Sequence, residues 1–374
     1  MLGEWVLLAL LAGSLAYSLL VIVAVRRYRR VRRAESRAFE PVSILKPLAG
    51  LDLGLERNLR TFFEQDYPDF EILFAVRDAD DAAVEVVERL RREYAAVPSR
   101  LLVTGEPPYP NAKVFSLDRM FAAAGHDLVV MSDSDIRVGP AFLRTVAAEF
   151  QDPALGVATC PYRAVAGPGL WSRLEATGMN TDFLAGILVA RMVEGMKFAV
   201  GPTIVARRSA LDSIGGLDRL KDFLAEDFAL GKFAAEAGQG VNLSSYVVEH
   251  HIGNQDLAHN ARHRLRWARS TRRSRRAGYI GQLLTMPLPL AIMVFAVDPA
   301  WWPVLPLTFA IRAAAAWSVA QGVLGAQLNW VLLPMEDVAA FCFWVAGFFG
   351  NTITWRGRNY RLESDGRFEL LTED

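Results

Sequence analysis

Apolar residues recur along this chain at different spacings, and each spacing predicts a different kind of element. Residues 5–25, WVLLALLAGSLAYSLLVIVAV, form an uncharged run long enough to cross a bilayer as one helix. From residue 40 to 250 the apolar runs shorten. VSILKPL (42–48), FEILFAV (70–76), SRLLVTG (99–105) and DLVVMSD (127–133) read as strands bounded by turn residues. Residues 55–63, 82–94 and 113–123 carry helical spacing between them. This alternation predicts an α/β fold with a mostly parallel sheet and helices on both faces. In such sheets ligands collect at the carboxyl ends of the strands. Long apolar runs return at 280–297, 301–324 and 338–355.

The charges flanking the runs predict an orientation. RRYRRVRR (26–33) follows the first run and little charge precedes it, the reverse of a cleaved secretory signal. The expected organisation is a transmembrane signal-anchor over 1–25, a basic juxtamembrane linker over 26–40 and a catalytic-type domain over 41–255. A basic interfacial helix (256–278), C-terminal membrane segments (279–355) and a tail (356–374) follow. The positive-inside rule puts residue 26 onward in the cytoplasm, and an integral membrane protein of a bacterial inner membrane is expected. Pro287 and Pro289 suit an interfacial or re-entrant segment, while Arg312 needs an interior partner or must snorkel. Two full crossings would return WRGRNYR (355–361) to the cytoplasm.

Composition narrows the functional classes. Lys plus Arg equals Asp plus Glu at 41 each in 374 residues, so no global field draws the chain to nucleic acid. The apolar share is 52% and mean hydropathy is +0.19, with the excess concentrated at the two ends. Two cysteines, Cys160 and Cys342, make neither a disulfide framework nor a metal cluster and suit a reducing compartment.

Four constellations carry candidate chemistry. Asp78 ends the second strand in VRDADD (76–81): either a solvated turn or a carboxylate meeting a nucleotide at a strand end. Asp133 and Asp135 in DSD end the fourth. Residues two apart on a strand face one way, so the pair is either an Asx-type turn or a site for Mg²⁺ or Mn²⁺ with substrate phosphates. Glu226 and Asp227 open a helical pattern in AEDFALGKF (225–233); they complement the helix dipole, or one is a general base. HRLRWARSTRRSRR (263–276) is a basic amphipathic helix for anionic lipid, or its Arg266 pairs with a diphosphate.

Taken in order, the four resemble the signature of lipid-directed and processive family 2-type glycosyltransferases with the GT-A fold. LKPLAGLDLGLERNLRTFFEQDYPDFEILFAVRDADD (45–81), DSDIRV (133–138), VGPTIVARRSALDSIGGL (200–217) and WRGRNYRL (355–362) narrow the resemblance to the ceramide glucosyltransferase-like family. It implies a GT-A domain with membrane helices at both ends, and inverting transfer of glucose from UDP-glucose to the primary hydroxyl of ceramide or a similar lipid. Partners are then a UDP-sugar donor, a membrane lipid acceptor and the bilayer. It further implies that Asp78, Lys113, Asp133 and His263 bind the nucleotide-sugar and that Asp135 with Asp133 holds Mg²⁺ or Mn²⁺. Asp227 is then the base, and Arg266 with Trp267 completes the x-x-R-W motif. Two positions depart from the pattern. Animal ceramide enzymes have Gly where Asp135 stands, and the family has Gln or Arg where His263 stands. A hopanoid-pathway transferase using another UDP-sugar such as UDP-N-acetylglucosamine shares these blocks. A non-catalytic scaffold would not need all four acidic and basic positions.

Overall fold

Strands β1 (Val42–Pro47), β2 (Phe70–Val76), β3 (Ser99–Val103) and β4 (Leu128–Ser132) lie within two residues of their predicted boundaries. The structure is a computed structural model, which describes residues 2–31, 39–355 and 357–371. Part of the expected juxtamembrane linker (32–38) and of the tail (356 and 372–374) lies outside the described residues. After β4 come β5 (Ile136–Arg137), β6 (Leu155–Thr159), β7 (Tyr162–Val165), β8 (Thr203–Arg207), β9 (Gly240–Leu243) and β10 (Val248–His251).

Seven strands form one sheet in the order β3-β2-β1-β4-β8-β6-β9. β1 lies parallel to both β2 and β4, whereas β8 runs antiparallel to β4 and β6. The predicted mostly parallel sheet therefore holds, with β8 reversed. Every residue of β4, and all but one of β1 and β2, is buried. Strands covered on both faces lose the polar alternation of a half-exposed sheet, which is why their sequences read as unbroken apolar runs. The helices Leu55–Phe63, Ala83–Glu93 and Ala112–Ala123 connect them, matching the predicted helical spacings. β10 pairs antiparallel with β5, setting His250 opposite Ile136.

The chain divides into two units, one holding this sheet (32–162 and 196–253) and one built of residues 1–31, 163–195 and 254–374. The sequence reading carries the sheet domain unbroken from 41 to 255. Residues 163–195 instead cluster with the apolar helices. Their helix Leu170–Gly178 packs against Leu332–Gly347, and Leu184–Glu194 packs against Leu2–Arg29.

Within the helical unit, Gly3–Arg29 is long and apolar enough to cross a membrane. The predicted 280–297 segment is broken: Arg276–Thr285 and Pro287–Val297 meet at a 65° bend, with proline opening the second piece. Eleven residues of helix rise only ~16 Å, against ~30 Å of hydrocarbon. Val304–Ala320 follows with 17 residues and Leu332–Gly347 with 16. The predicted 338–355 segment thus stops short, and its end becomes β11 (Thr352–Trp355), paired with β12 (Arg358–Leu362) and through it β13 (Phe368–Leu370).

Arg312 has interior partners. Its guanidinium reaches Asp337 at 2.8 Å and Asp182 at 2.7 Å, and Arg312 and Asp337 are both almost fully buried. Beside them Arg264 pairs with the equally buried Glu336. Removing one partner of a buried ion pair leaves an uncompensated charge, at a cost of about 3–5 kcal/mol. Arg312→Leu is therefore expected to destabilise the detergent-solubilised chain by about that amount. Arg312→Leu with Asp337→Leu should recover part of it in the same thermal unfolding series.

Candidate active site

β4 delivers the acidic pair, but not on one strand face. The strand ends at Ser132, and Asp133, Ser134 and Asp135 form the turn into β5, where the Ile136 amide donates to the Asp133 carbonyl. The shared-face expectation is corrected: each carboxylate has its own cationic or hydrogen-bonding partner. Lys113 Nζ lies 2.7 Å from Asp133 Oδ1 and 2.8 Å from Glu226 Oε1. His250 Nε2 lies 2.9 Å from Asp135 Oδ2. Beneath both, the fully buried Lys46 donates to the Ser132 hydroxyl and the Asp133 carbonyl, with its ammonium 3.8 Å from the Phe62 ring centre.

These contacts set the charge states. Burial raises Asp133 above the usual carboxylate range; Lys113 opposes that and Asp135 adds to it. Burial would raise Asp135 too, but His250, helped by Lys46 and Lys113, holds it below its ordinary value. Burial lowers Lys46 to about 7 despite the two aspartates. Lys113 goes the other way: Asp133 and Glu226 outweigh its burial and hold the ammonium firmly protonated. The Asp135 Oδ1 atom is buried and accepts no hydrogen bond among the described residues.

The helix Glu226–Glu236 brings the second acidic pair to the same cleft. A Cβ at Gly231 would fall 1.9 Å from the Ala199 amide nitrogen, so only glycine lets this helix seat against the 198–201 segment. That contact presents the Gly201 amide, 2.7 Å from Asp227 Oδ2, while the Phe228 amide donates to Oδ1 at 2.7 Å. Gly201 itself has φ +79°, a conformation glycine adopts without a steric penalty. Burial, then the Glu226 charge, raises Asp227 to about 6, with Lys113 and the two amides opposing. Lys113, Asp133, Glu226 and Asp227 line one cleft together with apolar residues that include Met131 and Leu230.

Asp78 is exposed just beyond β2. With strands ~4.8 Å apart, β2 and β4 stand about 10 Å apart across β1. The neighbouring Asp81 has a structural role: its carboxylate accepts from the Gly50 and Ala83 amides. Ser134 donates to Asp52, so the 50–54 loop is tied down at the ends of β2 and β4. Leu51 and Leu53 on it remain exposed.

His263, Arg266 and Trp267 lie on the helix Leu257–Ser274 of the other unit. His263 Nδ1 is 2.7 Å from Glu175 Oε1, and Asn260 donates to the second oxygen of that buried carboxylate. The Trp267 ring lies 4.4 Å from the His263 ring and 6.4 Å from Phe183; Arg266 is partly buried. The basic helix does more than the sequence suggests. Arg269 donates to the Phe349 and Thr352 carbonyls, and Arg272 to those of Phe348 and Gly350. They cap the C-terminal end of Leu332–Gly347, where unpaired carbonyls concentrate negative charge.

Sequence reasoning missed Lys46 and His250, and it gave Glu226 no partner. Lys46 sits in an apolar strand, and nothing in its spacing marks it. His250 reads as a loop histidine until β10 registers against β5. Glu226 was paired with Asp227 by position, but its bond to Lys113 joins residues more than a hundred positions apart. Among the described residues no group of three or more His, Cys, Asp or Glu gathers as a metal cage.

The model of glycosyl transferase family 21 matches residues 6–368. The chain is 30% identical over 207 residues to ceramide glucosyltransferase 1 of Caenorhabditis elegans, covering 55% of this chain and 44% of the relative. It is 30% identical over 241 residues to the ceramide glucosyltransferase of Komagataella phaffii, covering 56% and 47%. The matched regions thus span about half the length of these relatives. In three dimensions the chain is similar to the Pyrobaculum calidifontis mannosyltransferase PcManGT, whose structure is in complex with GDP-Man and Mn²⁺. The TM-score is 0.56 at 18% identity, covering 92% of this chain and 99% of that one, a likeness of fold.

Lys113 is the shared cation of this site. Lys113→Met is expected to destabilise the protein by about 1.5–3 kcal/mol, the range for a lost hydrogen bond to a charged group. Adding Glu226→Gln should restore part of the loss, as measured by chemical unfolding.

Proposed function

Because this chain belongs to glycosyl transferase family 21, we propose that it transfers a hexose from a nucleoside-diphosphate sugar to a hydroxyl of a membrane lipid, with inversion. UDP-glucose and a ceramide-like acceptor are the substrates this reading favours. The observation that carries it is Asp227. Two backbone amides orient its carboxylate in the cleft that also holds Lys113 and Asp133.

The proposed chemistry follows from these groups. Asp227 takes the proton of the acceptor hydroxyl as that oxygen attacks the anomeric carbon from the face opposite the diphosphate. A raised pKa suits the task, since a base works best near the pH at which it operates. One carboxylate suffices, because the diphosphate leaves without a protein acid; a glycosidase would need two flanking the sugar. Asp78 at the end of β2 is assigned to the nucleoside. Lys113 keeps Asp133 and Glu226 in place. Arg266, with His263 and Trp267, is assigned to the leaving diphosphate by motif, since a planar guanidinium suits phosphate oxygens.

Asp133 and Asp135 fit a hard divalent cation. Both offer carboxylate oxygens, and Asp135 Oδ1 is a buried acceptor with no donor among the described residues. Mg²⁺ characteristically takes one or two carboxylates and completes its shell with phosphate and water. Bound there, Mg²⁺ or Mn²⁺ supplies positive charge to the diphosphate.

Several outcomes test the reading. Asp227→Asn should lower transfer by about 10²–10⁴-fold while UDP binding persists; unchanged turnover would remove Asp227 from the base role. In the wild type, kcat/KM should fall as pH drops through about 6, where Asp227 becomes protonated. The linkage sign agrees. A carboxyl whose folded pKa lies above its unfolded one loses stability as pH rises between the two, so Asp227 makes the wild type less stable as pH rises from its ordinary carboxylate range to about 6. Separately, chelator-washed protein should lose transfer and regain it with Mn²⁺, and Asp135→Ala should weaken donor binding only when metal is present. Membranes carrying the chain, given labelled UDP-sugars, identify donor and acceptor by lipid mass analysis.

A further inference from the structure

The helical unit holds a small, partly open recess lined by Tyr17, Ser18, Thr181, Asp182, Thr285 and Arg312 together with small apolar residues. Polar groups are unusual in such a setting, and these differ in how far they are satisfied. The hydroxyls of Ser18, Thr181 and Thr285 each donate to a carbonyl of their own helical segment. The Tyr17 hydroxyl is buried with no hydrogen-bond partner among the described residues. Asp182 pairs with Arg312, yet a quarter of its side chain stays accessible, against 4% for Arg312 and 1% for Asp337. A π-helical turn, Met179–Phe183, carries Asp182; such turns occur frequently at functional sites.

The charge balance selects the ligand. Arg264 and Arg312 face three carboxylates, Asp182, Glu336 and Asp337, so no spare positive charge remains for a phosphate. An anionic headgroup would meet the accessible Asp182 oxygen and be repelled. A hydroxyl or amide would instead donate to Asp182 and engage the Tyr17 hydroxyl, satisfying both. We infer that this recess binds the uncharged polar head of a lipid through Asp182 and Tyr17, and that this lipid is the acceptor. The second half of that statement rests on the proposed transferase activity; the first does not.

The test uses the full chain in nanodiscs of neutral lipid and a photoreactive ceramide, with photoreactive diacylglycerol and phosphatidylcholine as comparisons. Cross-linking by ceramide to peptides containing Tyr17 or Asp182, competed by unlabelled ceramide, supports the site. Labelling by diacylglycerol as well would narrow recognition to the hydroxyl. Equal labelling by phosphatidylcholine, or ceramide cross-links confined to other segments, overturns it. Tyr17→Phe removes one oxygen and should reduce ceramide cross-linking about tenfold, the effect of losing one hydrogen bond. It should raise the KM for ceramide similarly while the KM for the sugar nucleotide stays within about twofold. Asp182→Asn is scored only after its thermal unfolding is checked, because it also weakens the Arg312 pair. Cross-linking at the recess without sugar transfer would overturn the transferase reading and keep the site. Transfer with Tyr17→Phe showing an unchanged ceramide KM would do the opposite.

Discussion

Carboxylates withdrawn from water must find a cation or hydrogen-bond donors, and both units of this protein are arranged around that requirement. In the sheet unit Lys113 lies between Asp133 and Glu226, His250 meets Asp135, and Lys46 lies beneath the turn. In the helical unit Arg312 answers Asp182 and Asp337, and Arg264 answers Glu336. An isolated ion at such a depth costs several kcal/mol even after relaxation. The pairs therefore constrain where their elements can sit, and the cleft and the recess take their chemistry from what each pair leaves unsatisfied.

The active-site cleft shows how a rigid frame makes such pairs useful. β1, β2 and β4 are packed on both faces, which holds the turn carrying Asp133 and Asp135 at a defined height. Gly231 lets the Glu226–Glu236 helix come close enough for the Gly201 amide to orient Asp227. Burial and the neighbouring Glu226 then raise Asp227, while Lys113 and two amides keep the rise moderate. The same neighbourhood pushes Asp135 down through His250. Environments that separate the pKa values of nearby carboxylates are how one site divides its roles between them.

Much of the fold was legible from pattern. Strand–helix alternation predicted β1 to β4 and their three helices closely, because a strand buried on both faces must be apolar throughout. The apolar C-terminal runs misled for a related reason. Hydropathy registers burial in protein and in lipid alike, so 338–355 read as one segment although its last residues pair in a hairpin. Residues 163–195 carry no charge signal that separates them from the sheet domain; only their packing on the apolar helices does.

Local spacing, composition and motif order determined by themselves that this chain folds as a mostly parallel α/β sheet with apolar ends. They also determined that Asp78, Asp133, Asp135 and Asp227 follow strand ends or helix starts, where ligands are met. Tertiary structure alone decided which cation or hydrogen-bonding group serves which carboxylate. Lys113 meets Glu226, His250 meets Asp135, and Arg312 meets both Asp182 and Asp337, each across a long sequence separation. The physical reason is range. Propensity and periodicity act over a few residues, whereas charge compensation acts through space, between groups that become neighbours only after the sheet and helices have packed.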